Sequence, residues 1–404
     1  MRRAYMALVG GTGIGQLVTL GVMSVLGRLY DEEAFAVMAS VSVLASLAIP
    51  LVHGRYFLAI PQAEDDASVD GLYVLGVGLS FAVVLPITLV AGWAADGPFV
   101  EQRPLLAIGL AAALALAASV TECSTYWLAR KDSMAVVSGV VAARAVGIGL
   151  VQFALVRFGE LGIVVGAALG QVVAAGFLFS RVMARGFRWS PRGGWARLRG
   201  LAHRYRMYPL YSVPQGLLAA LYWNIVPILL MRMNHEEALA SYWVAWKYLS
   251  APLLLLSGSY RRAAMTTYAQ RSEAAAVATA RKHGAGFLAV GLLLALVLWT
   301  QGDLLLHVLL GPGWTEAATF IGLLAVGMLA DWALVPVMTA LQARGKVRGL
   351  LAWELVAVTV AFAACHWAMA RSGAQAGLEA FVATTLVVRG AFVLIGLSLL
   401  RPKG

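Results

Sequence analysis

The chain has 404 residues, 61% of them hydrophobic and 13% charged, and its 31 basic against 20 acidic residues give a formal net charge of +11. The apolar residues fall in blocks of about 20, the length of helix that crosses roughly 30 Å of hydrocarbon, and so little lies between them that a soluble domain of any size is excluded. Because the basic residues flank those blocks, their surplus points to anionic inner-leaflet lipid and excludes nucleic acid as a partner.

In chain order the pattern predicts twelve spans, at 5–27, 35–55, 71–94, 104–128, 135–156, 161–183, 208–231, 238–260, 284–301, 317–341, 349–369 and 378–400. The first follows Met1-Arg2-Arg3 but is too long for a signal peptide and lacks a small-residue cleavage site, so it reads as a retained helix. Its Gly10-Gly-Thr-Gly-Ile-Gly run lacks the Lys-Ser/Thr of a phosphate loop. Close helix packing through Gly11 and Gly15 is expected instead, and likewise through Gly166 and Gly170 in the sixth span. The seventh span carries Pro209, Pro214, Pro227 and Asn224, so it is expected to be kinked or partly unwound, with Pro214 and Pro227 as gating candidates. Tyr222, Trp223, Tyr242, Trp243, Trp246 and Tyr248 fall near the outer ends of spans seven and eight, where an aromatic belt is expected. The ninth span is the shortest.

Orientation follows from the basic residues, which are retained in cytoplasmic loops. With the N-terminus inside, 22 of the 31 basic residues fall in inside segments and five (Arg28, Arg103, Arg157, Arg232, Arg371) in outside ones, so both termini are read as cytoplasmic. The inside loop with Glu64, Asp65, Asp66 and Asp70 contains no base, whereas residues 185–206 contain seven arginines and no acid. Cys123 and Cys365 both fall within spans, which gives neither a disulfide framework nor metal-ligand spacing.

The sequence repeats itself. A shift of 204 positions lays Arg28–Tyr56 on Arg232–Tyr260 without a gap, and nine of the 29 positions are identical, among them Arg28/Arg232, Glu32-Glu33-Ala34/Glu236-Glu237-Ala238, Gly54/Gly258 and Tyr56/Tyr260. A shift of 214 pairs Thr125, Ala129 and Arg130 with Thr339, Ala343 and Arg344. The offset covers an even number of spans, so the halves run in parallel. The expected fold is an all-α polytopic membrane protein of two pseudo-symmetric six-helix bundles around a central cavity: residues 1–183, a basic cytoplasmic linker at 184–207, and residues 208–404.

Several pieces resemble one family in order along nearly the whole chain: Gly11-Thr-Gly-Ile-Gly-Gln-Leu, Gly27-Arg-Leu-Tyr-Asp-Glu-Glu-Ala-Phe, Gly54-Arg-Tyr-Phe-Leu-Ala-Ile-Pro, Tyr126-Trp-Leu-Ala-Arg-Lys, Arg204-Tyr-Arg-Met-Tyr-Pro and Leu310-Gly-Pro-Gly-Trp. The family is that of the bacterial Wzx-type polysaccharide and O-antigen flippases, in the multidrug/oligosaccharidyl-lipid/polysaccharide (MOP) exporter superfamily. Similar sequences commonly carry Glu where this one has Phe57. The resemblance implies a flippase that moves undecaprenyl-pyrophosphate-linked oligosaccharide across the bacterial cytoplasmic membrane by alternating access, beside the polymerase and glycosyltransferases of the same pathway. It also favours a pathway lined by spans one, two, seven and eight.

A pyrophosphate that crosses hydrocarbon needs cationic partners. Arg55, Arg144, Lys247 and Arg389 are the basic residues within predicted spans, each costing roughly 2.5 to 3.5 kcal/mol at a helix centre, and they are the candidate substrate ligands. Arg55 lies near an inner helix end from which it can snorkel, Lys247 is deep, and Arg389 has Asp331 on another span as an alternative partner. Asp331, Glu122 and Glu354 are the acids within spans and the candidates for coupling to an H+ or Na+ gradient, although Glu122 and Glu354 lie within a turn or two of inner ends, in reach of loop arginines. No cofactor, metal site or nucleotide site is expected. A membrane polymerase or glycosyltransferase is disfavoured because the largest outer loop, 302–315, offers only Asp303 and His307. A multidrug exporter of the same superfamily would keep the fold but carry acid-dominated interior charge.

Overall fold

The computed structural model describes residues 2–94, 97–131, 134–188, 194–270, 272–344 and 347–400. Among them the chain is all-helical and divides into two compact units, Met1–Leu221 and Tyr222–Gly404.

The first unit contains α1 (Arg2–Leu29), α2 (Glu32–Val52), a 3₁₀ segment (Tyr56–Gln62), α3 (Asp66–Ala94), the short α4 (Pro98–Gln102), α5 (Pro104–Arg130), α6 (Met134–Ala154), α7 (Gly159–Ala184), α8 (Gly194–Arg204), a π turn (Tyr208–Ser212) and the first part of α9 (Val213–Arg232). The second holds the rest of α9, then α10 (Glu236–Gln270), α11 (Glu273–Leu310), α12 (Thr315–Gly327), α13 (Leu329–Ala343) and α14 (Val347–Leu399). Seven of the described helices are long and apolar enough to cross a membrane, or eight if the bent α12–α13 pair is one span. The chain is thus a multi-pass membrane protein.

The packing is that of helices in lipid. Large apolar side chains such as Leu85, Leu89 and Trp93 on α3, or Leu293, Leu296 and Trp299 on α11, face outward. Small residues and hydrogen bonds join the helices where lipid supplies no hydrophobic drive between them. A Cβ at Gly166 would strike the Gln152 backbone, and one at Gly170 the Ile148 backbone, so α7 lies against α6 as the glycine spacing predicts. Gly11 lies outside the residues whose side-chain packing is described. Tyr30 Oη donates to Gln152 O at 2.6 Å, Ser80 meets Ser119 at 2.5 Å and Tyr73 meets Ser124 at 3.0 Å, which ties α1 to α6 and α3 to α5.

Several boundaries differ from the sequence expectation. The second span stops at Val52 rather than 55, because His53-Gly54-Arg55 form a turn in which Gly54 and Arg55 both take positive φ, 53° and 54°, and Tyr56 N–H closes on His53 O at 3.3 Å. Its repeat partner does not break: α10 runs unbroken through Gly258-Ser259-Tyr260. The ninth span, expected to be short, lies within a 38-residue helix. The tenth is broken by 40° at Met328, and Asp331 falls in the first turn of α13. Gly373, with φ 85°, separates the last two predicted spans within α14. In the seventh, the π turn Tyr208–Ser212 precedes Pro214 and makes room for its ring, while Pro227 lies within α9.

The acid loop without bases is neutralised from outside its own stretch. Arg197 binds Asp65 at 3.2 Å and Arg204 binds Glu64, which clips α8 onto the start of α3, while Lys131 pairs with Asp66 at 2.6 Å. Asp70 accepts from Trp127 Nε1 at 2.9 Å and from Arg188 N at 3.3 Å. Hydrogen bonds from Ser68, then the charge of Arg197, hold the Asp65 carboxyl below the ordinary carboxylate range.

Candidate functional site

The predicted site residues fall into two charge clusters, one in each unit. In the first unit the organising feature is the turn after α2. An Arg in the left-handed region costs about 1–2 kcal/mol, so the surroundings must hold Arg55 there. One restraint is His53, 1% exposed, whose Nδ1 accepts the Arg55 backbone N–H at 3.2 Å. An Nδ1 that accepts carries no proton. Nε2 is then the ring nitrogen that donates, and it lies 2.9 Å from Glu122 Oε2. The second restraint is Gly216 on α9, against which the Arg55 guanidinium lies so closely that any Cβ there would overlap it.

Arg55 has a buried Nε without a hydrogen-bond partner. That leaves a buried cationic donor uncommitted in the turn that follows α2, where buried polar groups are ordinarily satisfied. Phe57, at the position where similar sequences carry Glu, packs its ring on His53 at 4.7 Å and on Tyr126 at 4.8 Å, so it closes the apolar side of the turn. Arg144 Nε donates to Gln171 Oε1 at 2.8 Å, and Glu122 is close enough for its charge to act on both Arg55 and Arg144. Glu122 therefore takes a histidine of its own unit, where sequence reading pointed to loop arginines. Arg55, Arg144 and Glu122 together leave a surplus of one positive charge.

The second unit's cluster pairs its charges internally, although Arg389 Nε and Asp331 Oδ2 lack a hydrogen bond. Arg389 on α14 makes a two-pronged ion pair with Glu354, at 2.8 and 3.0 Å, and its Nε lies 3.8 Å from Asp331 Oδ1. Glu354 was expected to meet loop arginines; its side chain is 5% exposed and meets Arg389 instead. Tyr222 covers the guanidinium at 4.1 Å and donates from its hydroxyl to Thr385 Oγ1 at 2.7 Å. Lys247 sits over the Trp243 ring at 4.9 Å, and Trp223 packs on Trp246 at 4.7 Å. The aromatic belt expected here is corrected for Tyr222, Tyr242, Trp243 and Tyr248, which are all buried. Two of them carry a cation on the ring, Trp243 that of Lys247 on the same helix and Tyr222 that of Arg389 on α14.

Sequence reading missed His53 and Gly216. Both have a local signal only in hindsight of the fold: His53 sits next to Gly54-Arg55, and Gly216 follows Pro214 within the seventh span.

A family model described as polysaccharide biosynthesis protein matches residues 2–271. The chain belongs to that family. Solved structures similar to this member of the polysaccharide biosynthesis family share its fold at low identity. An inward-facing multidrug resistance MATE family transporter of the MOP superfamily is 16% identical, with 99% of this chain and 95% of that one covered at a TM-score of 0.57. The lipid II flippase MurJ, in an inward closed conformation, is 10% identical, with 98% and 86% covered at 0.59. A point mutant of the Vibrio cholerae MATE transporter VcmN is 15% identical, with 98% and 96% covered at 0.57. Comparison with curated protein sequences gives no match. The architecture of this family member is therefore that of MOP transporters.

Proposed function

We propose that the protein is a Wzx-type flippase that carries a glycan linked to undecaprenyl pyrophosphate across the bacterial cytoplasmic membrane by alternating access, with Arg55 as the first ligand of the pyrophosphate. The observation that carries this reading is the Arg55 guanidinium, fixed in a left-handed turn with a buried donor and no hydrogen-bond partner at Nε. Family membership supports a role in polysaccharide synthesis, and the positive surplus around Arg55 favours an anionic cargo over the cationic drugs of an exporter. Arg144 and Lys247 serve as further cations. Arg389 is neutralised by Glu354 and acts structurally.

The test is leaflet exposure of the lipid-linked oligosaccharide in vesicles reconstituted with each variant at equal folded abundance. Arg55→Gln is expected to slow flipping about tenfold or more, the loss of a charged hydrogen bond, while Arg55→Lys retains part of the rate. Wild-type flipping by Arg55→Gln would remove Arg55 from the mechanism.

We propose the twelve-span arrangement with both termini cytoplasmic on the partition of basic residues. In a variant lacking Cys123 and Cys365, Trp195→Cys on the exposed face of α8 should react with an impermeant thiol reagent only after the inner membrane is breached. Ser372→Cys should react in cells with only the outer barrier opened. Reversed labelling would overturn the orientation.

A further inference from the structure

We infer that His53 is the positioning residue of the site: its neutral, Nε2-protonated ring spans Glu122 and the Arg55 backbone and thereby sets where the Arg55 guanidinium presents itself to the anion. This deepens the flippase reading and rests on it.

The geometry divides the imidazole into two functions. Nε2–H is anchored on Glu122 of α5 at 2.9 Å, which fixes the ring plane. Nδ1 is then aimed at the Arg55 N–H at 3.2 Å, and that hydrogen bond restrains a residue whose backbone conformation is otherwise unfavourable. The aligned segment of the second half does not repeat this: the shift of 204 places Ser257 at His53 and Ser259 at Arg55, and the backbone there is helical. The duplicated frame thus carries a cation-presenting turn in only one copy.

From α5 the His53 ring is met by Glu122, and from the 3₁₀ segment by the Phe57 ring at 4.7 Å. The part of α9 near Arg55, from Val213 to Leu221, has no titratable side chain, so no charged group of that stretch bears on the Arg55 guanidinium. If Nδ1 does not accept, the Arg55 N–H loses its restraint.

Two amides separate the two nitrogens. In His53→Asn the side-chain oxygen occupies the place of Nδ1 and can still accept from the Arg55 N–H, but the reach to Glu122 is gone. In His53→Gln the amide reaches Glu122 and leaves the Arg55 N–H without its acceptor. Binding of undecaprenyl pyrophosphate to the full-length protein in lipid nanodiscs should be about three- to tenfold weaker for His53→Gln than for His53→Asn, the worth of one hydrogen bond. Independently, nitrogen chemical shifts of histidine-labelled protein, assigned by subtracting the spectrum of His53→Asn, should show the neutral Nε2–H tautomer.

Equal affinities for the two amides, or a proton on Nδ1, would each overturn the positioning role. Failure of the wild-type protein to bind undecaprenyl pyrophosphate at any pH is a different outcome, which sinks the flippase reading; the tautomer measurement then still decides the inference about the turn.

Discussion

Replacing Arg389 by Met should lower the stability of the second unit by about 3–5 kcal/mol, the cost of stranding buried charges when one partner of an ion pair is removed. The reason is the composition of the cluster: with Arg389 gone, Glu354 and Asp331 face each other with no cation between them, and both side chains are 10% exposed or less. One or both must take a proton to fold. Glu354→Gln should be milder, because Arg389 keeps Asp331 at 3.8 Å and the Tyr222 face at 4.1 Å. The Arg389→Met, Glu354→Met pair should recover most of the loss, since apolar residues of similar volume replace a desolvated pair at little cost and the remaining Asp331 is neutralised by one proton. Thermal unfolding midpoints of the detergent-solubilised variants check the ranking. If Arg389→Met unfolds at the wild-type temperature, the ion pair does not hold together the two arms of α14 on either side of Gly373.

That cluster also marks how far the sequence reaches. Composition and the period of apolar blocks were enough for an all-helical membrane protein, because hydrocarbon permits few other solutions to backbone hydrogen bonding. The prolines of the seventh span announced an irregular helix, and the glycines at 166 and 170 announced close packing, since both act through local covalent geometry. Partner choice was less legible. The sequence offers Asp331 as the partner of Arg389, and only the break of α14 at Gly373 brings Glu354, 35 positions earlier in the same helix, into the paired hydrogen bonds and leaves Asp331 the longer contact.

The turn at Arg55 was hidden for a related reason. Its residues continue an apolar run that reads as helix, and the repeat partner at Gly258 is in fact helical, so neither periodicity nor internal symmetry signals the break. The signal that exists is Gly54, a residue free to take positive φ, directly before an Arg; the acceptor that stabilises the Arg, on His53, is visible only once the ring's other nitrogen is tied to Glu122, 69 positions away. Likewise the aromatics of spans seven and eight carry the composition of a membrane-interface belt. The burial of Tyr222 comes from Phe381 and Arg389 of α14, more than 150 positions away, which no linear pattern displays.

Gly216→Ala should separate function from stability more sharply than any change to Arg55 itself. In a helix interior Ala is favoured over Gly by about 0.8–1 kcal/mol, so the fold gains locally. The new methyl, however, occupies the volume where the Arg55 guanidinium now lies. The collision is with the far end of a long side chain, which can swing away at small cost, while the Arg55 backbone stays restrained by the His53 turn. The expected result is a folded yield equal to or above wild type and flipping reduced about tenfold or more, because a displacement of the order of 1 Å in a positioned group removes most of its effect. Combining the substitution with Arg55→Gln should add no further loss, since both act on one guanidinium, and pairs that share a target are not additive. Leaflet exposure measured for the two single variants and the double variant, each normalised to folded protein, provides the comparison. Undiminished flipping in Gly216→Ala would mean that the cradle against α9 is ordinary helix packing. A double variant slower than Arg55→Gln alone would mean that Gly216 serves the movement of α9 by its own flexibility, independently of the cation it accommodates.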